Sequence, residues 1–585
     1  MMRRLIMPGV SLLATLAPLP AFAQYGGGYA PLGSAFPSTR VGDLRTQLQS
    51  YLPNQLARTT GPAVLITPSI GVDVGVTDNA LRVERPRRAD VFTSITPGLG
   101  VSADTARLKV NLSYQPIATI YAQTSSQTRF DQYGNGTALA TIVPETLFLD
   151  VRGSVTQQSR TGGFTDTNTQ ALNRDDQIQT ATFSVTPYAE HRFGGWGTGR
   201  VGYSYARTVQ DGRNDQSGFG TNQGQFNNGF NNGFNTGFDT GFGATGNLTT
   251  QRERASFTTG ENLGRINNIL VAEAIQYSGQ GTYRGAFRNQ VSNDVGYALT
   301  RTITAIAGAG YQDLRFSGTP GVRIQEPTWR VGGRITPNAD STLTVTYGRK
   351  DGINAAAVDG VYSPTARTRV FVRYSTGLTT DAEESQNVLT STSVGPSGLL
   401  VDTVTGSPVS SSSGSFGTQN GLFQQRTLSA TGLLILNRDS ITISVAQNER
   451  TSVGGTTTTT GASVPAGVST TGVSATLGWQ HELTPALTLA ASLSYSVDDN
   501  GNRQVLAGGG SGGSGSQRTI QASLGTGYAF TPTLTGNVRY TFTDRSGGVN
   551  RTNQNQNQNF NGFGFGQAGQ NLTENILLVG LRKSF

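Results

Sequence analysis

The chain has 585 residues, is only 35% hydrophobic, contains 77 glycines and no cysteine, and carries a formal net charge of +8. A chain this long is expected to make roughly two to four globular cores; it is too polar for them, and without cysteine it has neither a disulfide scaffold nor thiolate chemistry. The positive charge comes almost wholly from arginine, with lysine only at Lys109, Lys350 and Lys583, and is spread along the chain. Nucleic acid, which needs a clustered basic patch, is therefore not an expected partner.

The first residues pair Arg3 and Arg4 with an apolar stretch from Leu5 to Pro20 and end in Ala21-Phe22-Ala23 before Gln24. This pattern predicts a signal peptide over 1–23, cleaved between Ala23 and Gln24, and export by the general secretory pathway. Pro8, Gly9, Pro18 and Pro20 interrupt the stretch, which falls short of the ~20 residues of a spanning helix. Residues 24–63 read as a periplasmic lead. Within it, Leu44, Leu48, Tyr51, Leu52 and Leu56 lie at three-to-four spacing and predict a short helix over 41–57. That helix would rest on a barrel mouth, or serve as a plug or docking element.

From residue 64 to 585 one local pattern recurs: a turn, often Thr-Pro, about ten residues of alternation, a tyrosine, then a polar loop. After Thr484-Pro485, for example, Leu487, Leu489, Ala491, Leu493, Tyr495 and Val497 share one face, against Thr488, Ala490, Ser492, Ser494 and Ser496. Strands are predicted near 64–77, 91–102, 106–122, 135–143, 146–158, 176–187, 197–209, 248–260, 266–278, 284–298, 303–316, 326–336, 341–351, 354–362, 367–378, 423–436, 440–451, 470–483, 487–498, 517–530, 534–545 and 572–585.

No run of about 18 apolar residues follows the signal, which removes the helical membrane class. A soluble sandwich would need several domains joined by linkers that are not found. The expected fold is all-β: a single large transmembrane antiparallel β-barrel of about 22 strands (range about 16–22), with short periplasmic turns and long extracellular loops. Tyr114, Tyr203, Tyr311, Tyr347, Tyr374, Tyr495 and Tyr540 are the candidate aromatic girdle, which the membrane interface favours. Residues 218–243 repeat Gly-Phe-Asn and residues 551–566 repeat Asn-Gln and Gly-Phe; both read as low-complexity extracellular loops. The final strand puts Leu577, Val579, Leu581 and Phe585 on one face, and Leu581 and Phe585 form the expected barrel-assembly signal. The partners that follow are outer-membrane lipid, lipopolysaccharide and the barrel assembly machinery.

Several stretches carry a resemblance. Ile66-Thr67-Pro68-Ser69-Ile70 leading to Thr77-Asp78-Asn79, the Ile95-Thr96-Pro97-Gly98-Leu99 turn, Leu147-Phe148-Leu149-Asp150-Val151-Arg152, and Thr573-Glu574-Asn575 to Leu581-Arg582-Lys583-Ser584-Phe585 stand out. They resemble the outer-membrane β-barrel proteins associated with exopolysaccharide and PEP-CTERM/exosortase gene clusters, akin to the type 2 β-barrel porins. The resemblance implies a place in the outer membrane, a role in exporting or handling polysaccharide, and polysaccharide-export proteins as partners.

The search for chemistry is negative. The two histidines, His191 and His481, lack the spacing of a zinc site, so neither a metal nor another cofactor is expected. His191 with Ser184 or Ser204 is the most that a serine-hydrolase reading assembles. Gly197, Gly199 and Gly202 match G-x-G-x-x-G but enter a strand rather than a helix. The acid pairs Asp498-Asp499 and Glu383-Glu384 read as exposed-loop residues, either solvated or bridged by calcium to lipopolysaccharide. An enzyme is not expected.

The polar strand faces put Arg107, Lys109, Arg152, Arg200, Arg369, Arg373 and Arg539 toward a lumen, against Asp73 and Asp150. Such cations would favour anions in a pore, or would pair with acids to fill the barrel. The expected function is a porin-like pore for polysaccharide or anionic solutes. The alternative is a non-conducting surface adhesin or structural protein acting through its Gly/Phe/Asn-rich loops.

Overall fold

Wherever the sequence alternates apolar with small polar residues, the chain is extended and paired with its neighbours. The computed structural model describes residues 64–159, 177–212, 247–318, 321–394, 400–402, 419–453, 456–458, 463–464, 466–467, 469–499, 516–547 and 571–585. The barrel strands are β1 (Val64–Thr77), β2 (Asp90–Asp104), β3 (Leu108–Tyr114 with Ile117–Tyr121), β4 (Arg129–Asp131 with Gly134–Val143), β5 (Leu147–Ser159), β6 (Gln177–Arg192) and β7 (Gly197–Gly212). Then come β8 (Leu248–Thr259), β9 (Ile266–Gly279), β10 (Phe287–Ala298), β11 (Ile303–Phe316), β12 (Val322–Asn338), β13 (Ser341–Lys350), β14 (Ile353–Thr365) and β15 (Thr368–Thr379). The ring is completed by β16 (Phe423–Ile435), β17 (Asp439–Ser452), β18 (Ser469–Thr484), β19 (Leu487–Asp499), β20 (Ser516–Thr531), β21 (Leu534–Ser546) and β22 (Leu572–Ser584).

Each strand pairs antiparallel with its sequence neighbours, and β22 pairs with β1 from Ser69↔Ser584 to Thr77↔Ile576, so the sheet closes on itself. The protein is therefore an all-β, closed, 22-stranded antiparallel barrel. Closure leaves no edge, so every strand has a ladder partner on both sides. All the predicted strands are present. The interruption of β3 falls at Gln115-Pro116, where proline removes a ladder donor.

The seam is locked by the motifs that carried the resemblance. Thr77 donates to Glu574 at 2.9 Å, the Asn575 amide groups donate to Asp78 at 2.7 Å, and Asn79 donates to the Thr573 carbonyl at 3.1 Å. Arg82 closes on Glu574 at 2.5 Å. Two short stretches far apart in sequence thus form one side-chain clasp. At the other end of the seam, Phe585 N–H donates to the Pro68 carbonyl at 2.9 Å. Pro68 lies beyond the last β1–β22 pair, so its missing N–H costs the ladder only its final bond.

One expectation about turns needs correction. Ile95–Leu99 is no turn: it lies within β2, with Ile70↔Pro97 and Ser69↔Gly98 in register against β1. The short turns gather at one end as expected, with one exception. One end carries the tight connections and both terminal strand ends, and is called the turn end; the other is the loop end. Yet β13 and β14 meet at the loop end through Asp351-Gly352 alone, with φ of 55° and 78°. Both central residues have positive φ, as a type I′ two-residue hairpin requires.

The outward face is an apolar belt. On β1 and β22, Ile70, Val72, Val74, Val76, Leu577, Val579 and Leu581 are exposed, and every alternate residue between them turns inward. Ala23, Gln24, the 41–57 helix and the 218–243 and 551–566 loops lie outside the described residues.

Candidate functional site

The inward face is polar, but it is not uniformly wet. On β17 the inward residues Ser444, Ala446, Asn448, Arg450 and Ser452 are buried toward the loop end, whereas Ser440 and Thr442 are half-buried toward the turn end. On β20, Gln517, Thr519 and Gln521 are buried, and Ser523 and Gly525 half-buried. On β7 the same division separates Ala206, Thr208 and Gln210 from Ser204, Gly202 and Arg200. The barrel is filled in its loop half and forms a vestibule toward the turn end.

Part of the filling is a helix, α1 (Asp381–Ser391), which follows β15 and packs against β5, β6 and β7, eight to ten strands away around the ring. Thr380 begins it: its hydroxyl accepts the Glu383 N–H at 3.2 Å, and the acids Asp381, Glu383 and Glu384 in the first turn suit the positive helix end. These acids meet donors from two other strands. Arg450, only 1% exposed, reaches Asp381 at 2.6 Å and Glu384 at 3.2 Å, and Tyr277 O–H donates to Glu383 at 2.8 Å. At the far end, Arg152 donates to the Leu389 and Thr390 carbonyls at 3.2 and 3.0 Å. Thr250 donates to Gln386 at 2.7 Å, and Arg252 to Asn387 at 3.2 Å.

An apolar cluster seals this end. Leu248, Ile275, Leu314, Phe316, Leu378 and Leu422 surround Ala382. Tyr283, in the β9–β10 loop, donates to Thr380 at 2.6 Å, and burial pushes its phenol well above the ordinary range against the opposing pull of that hydrogen bond. Glu383 and Glu384 are thus not exposed-loop residues. They are 3% and 2% exposed, inside the barrel, because the polar lumen wall supplies their partners. Asp498 is likewise buried, on the inward face of β19.

The predicted lumen cations divide into groups. Arg152, Arg200 and Arg373 point inward and pair with Asp150 at 2.9 Å, Glu190 at 3.1 Å and Asp359 at 3.7 Å. Lys109 stands opposite Asp104, Arg539 opposite Leu578 and Arg369 opposite Leu433, all on inward faces. Arg107 lies instead in the turn before β3, exposed, because the strand starts only at Leu108. Asp73 is inward and buried beside Gly580. The seven tyrosines share the outward face: Tyr203, Tyr311, Tyr347, Tyr495 and Tyr540 are exposed, and Tyr114 and Tyr374 stand opposite exposed Leu99 and Leu428. Leu581 and Phe585 are outward and exposed.

Sequence reasoning missed inward Arg252, Arg254, Arg288, Arg330 and Arg450, which lie in strands whose polar face it did not assign. His191 faces outward and Ser184 inward on β6, so they cannot act together; Ser204 is hydrogen-bonded to Thr186 at 2.8 Å. His481 pairs with Asp439 at 2.8 Å beside Trp479 near the turn end. Among the described residues no group of acids and histidines is arranged to hold a metal ion.

No protein-family model and no curated protein matches the chain. Among solved structures it is similar to a mutant of the ferric enterobactin receptor PfeA from Pseudomonas aeruginosa, at 13% identity and a TM-score of 0.41, covering 89% of this chain and 80% of that one. It is similar to the ferric-catecholate import receptor Fiu from E. coli K12, at 10% identity and 0.43, covering 88% and 81%. It is also similar to the outer membrane protein OpdK from Pseudomonas aeruginosa, at 8% identity and 0.32, covering 89% and 99%. Superpositions this loose transfer neither substrate nor mechanism, and the barrel assignment rests on the strand pairing itself.

Proposed function

We propose that the protein is an outer-membrane barrel that passes anionic solutes, polysaccharide among them, and that α1 obstructs its loop end until displaced. The observation that carries this reading is the division of the lumen: a hydrophilic vestibule at the turn end, and a loop half filled by a helix that side chains of the wall hold through hydrogen bonds and ion pairs. The exposed apolar belt around a closed ring supports the membrane setting, since lipid covers such a surface and tolerates no unpaired strand edge. In that setting the turn end faces the periplasm and the outward tyrosines form the interfacial girdle. Polysaccharide enters through the sequence resemblance, with polysaccharide-export proteins as partners.

Because Arg152, Arg200 and Arg373 are ion-paired, the anion preference is expected to be small rather than absolute. The rival reading, a non-conducting surface protein, draws on the same buried loop half. Planar-bilayer recording under a salt gradient separates them: a reversal potential shifted toward anions is expected from protein lacking residues 381–391. Cation selectivity, or no conductance from that variant, overturns the proposal.

A further inference from the structure

One seam of the ring is left open at the loop end although both of its strands run on. From the turn end, β14 and β15 pair as far as Val358↔Tyr374 and no further. Yet β14 stays paired with β13 back to Ile353, and β15 stays paired with β16 out to Thr379. Residues 353–357 and 375–379 thus each have a ladder partner on one side alone.

The seam stops because the tail of β15 leaves the wall. Leu378 shares by alternation the outward face of Tyr374, yet it is only 5% exposed. It lies in the cluster with Leu248, Ile275, Leu314 and Phe316, which come from the inward faces of β8, β9 and β11. Its N–H donates to Asp351 Oδ2 at 3.3 Å, and its carbonyl accepts from Arg288 at 2.9 Å. Side chains therefore hold two backbone groups that a partner strand would otherwise take. The Thr376 hydroxyl is buried without a hydrogen bond. Through Thr380 this inward tail runs directly into α1.

The same two strands can pair further. Extending their register sets Ala357 against Ser375, Ala356 against Thr376 and Ala355 against Gly377, then Asn354 against Leu378 and Ile353 against Thr379. The first three pairs join small residues, so no bulky side chain stands in the way, and the added pairs restore the ladder bonds missing from both edges. Seating Thr379 on β14 also draws Thr380 from Tyr283, and Asp381 from Arg450.

We propose that the β14–β15 seam is the gate of the barrel. With the tail of β15 turned inward, α1 obstructs the lumen; zipping 375–379 onto 353–357 carries the helix off its anchors. The two arrangements exchange side-chain latches for ladder pairs, as a two-state element does. The inference rests on the reading of α1 as a removable obstruction, but its test reads strand pairing rather than conductance.

The chain contains no cysteine, so an introduced pair reports on this seam alone. Opposed residues of an antiparallel ladder lie about 4.5–5.5 Å apart at Cα, within disulfide reach. Disulfide formation by Ala356→Cys/Thr376→Cys in detergent is expected to be slow in the otherwise wild-type chain. It should be about 10-fold or more faster once Arg450→Ala removes the helix anchor, the least that losing a buried ion pair shifts such an equilibrium. Tyr362→Cys/Val370→Cys, already paired, should oxidise at one rate in both backgrounds. Should the Arg450→Ala chain lose a folded barrel's heat-modifiable migration, Tyr283→Phe, which removes the bond to Thr380, replaces it with a smaller acceleration expected. Equal rates for the 356/376 pair in both backgrounds, or no disulfide once the anchor is gone, overturns the proposal. If protein lacking residues 381–391 still conducts, the solute-passing reading survives that failure.

Discussion

The two halves of the lumen are built from the same strands yet hold together differently. In the loop half, buried side chains converge on α1: Arg450 on Asp381 and Glu384, Tyr277 on Glu383, and an apolar shell around Ala382. In the turn half, half-exposed Arg200 and Arg373 each pair with an acid on a neighbouring strand, Glu190 and Asp359. The loop half therefore draws its burial from partners far around the ring, whereas these turn-half pairs run along the ladder. Substitutions should separate the two.

The largest effect is expected at Arg450. Arg450→Ala leaves two buried carboxylates without their cation, which costs about 3–5 kcal/mol when one partner of a buried pair is removed. Amide exchange over 381–391 should accelerate strongly while β17 and β18 stay protected. Equal protection of α1 in variant and wild type would remove the distinction between the halves. A smaller effect tests the wall. A Cβ on Gly75 would lie 2.2 Å from the Phe92 ring, itself 1% exposed, so Gly75→Ala should cost about 1–3 kcal/mol through overpacking. It should lower the temperature of the heat-modifiability transition without altering exchange in α1.

The smallest effect concerns Asp90 at the loop end of β2. Its buried carboxylate accepts the backbone N–H groups of Thr124, Val91 and Gln123. Asp90→Asn keeps one acceptor oxygen and should cost about 1 kcal/mol or less, read as a small fall in the temperature of the heat-modifiability transition. A fall as large as that of Gly75→Ala would contradict the assignment.

The wall was legible because a strand with lipid-type residues on one face and small polar ones on the other repeats with period two. That is why β1, from Val64 to Thr77, or β11, from Ile303 to Phe316, needed no tertiary information. The plug was not legible by that signal. Asp381–Ser391 is polar over most of its surface, with only Ala382, Val388 and Leu389 apolar, because much of the wall it packs against is polar, so it has no continuous amphipathic stripe to find. One local signal was present and passed over: Thr380 followed three residues later by Glu383 is a capping pattern, and helix-forming residues come after it. The motifs Thr77-Asp78-Asn79 and Thr573-Glu574-Asn575 were visible as motifs, but their meeting across the seam depends on ring closure, which no local window contains.

Single-channel recording of the wild type beside Arg450→Ala, reconstituted in the same bilayer, bears most directly on a lumen obstructed by α1. The wild type should conduct weakly or in rare openings, and Arg450→Ala should conduct in larger, longer openings once the helix loses its anchor. Indistinguishable conductance in the two proteins, with α1 shown by exchange to be released in the variant, would contradict it.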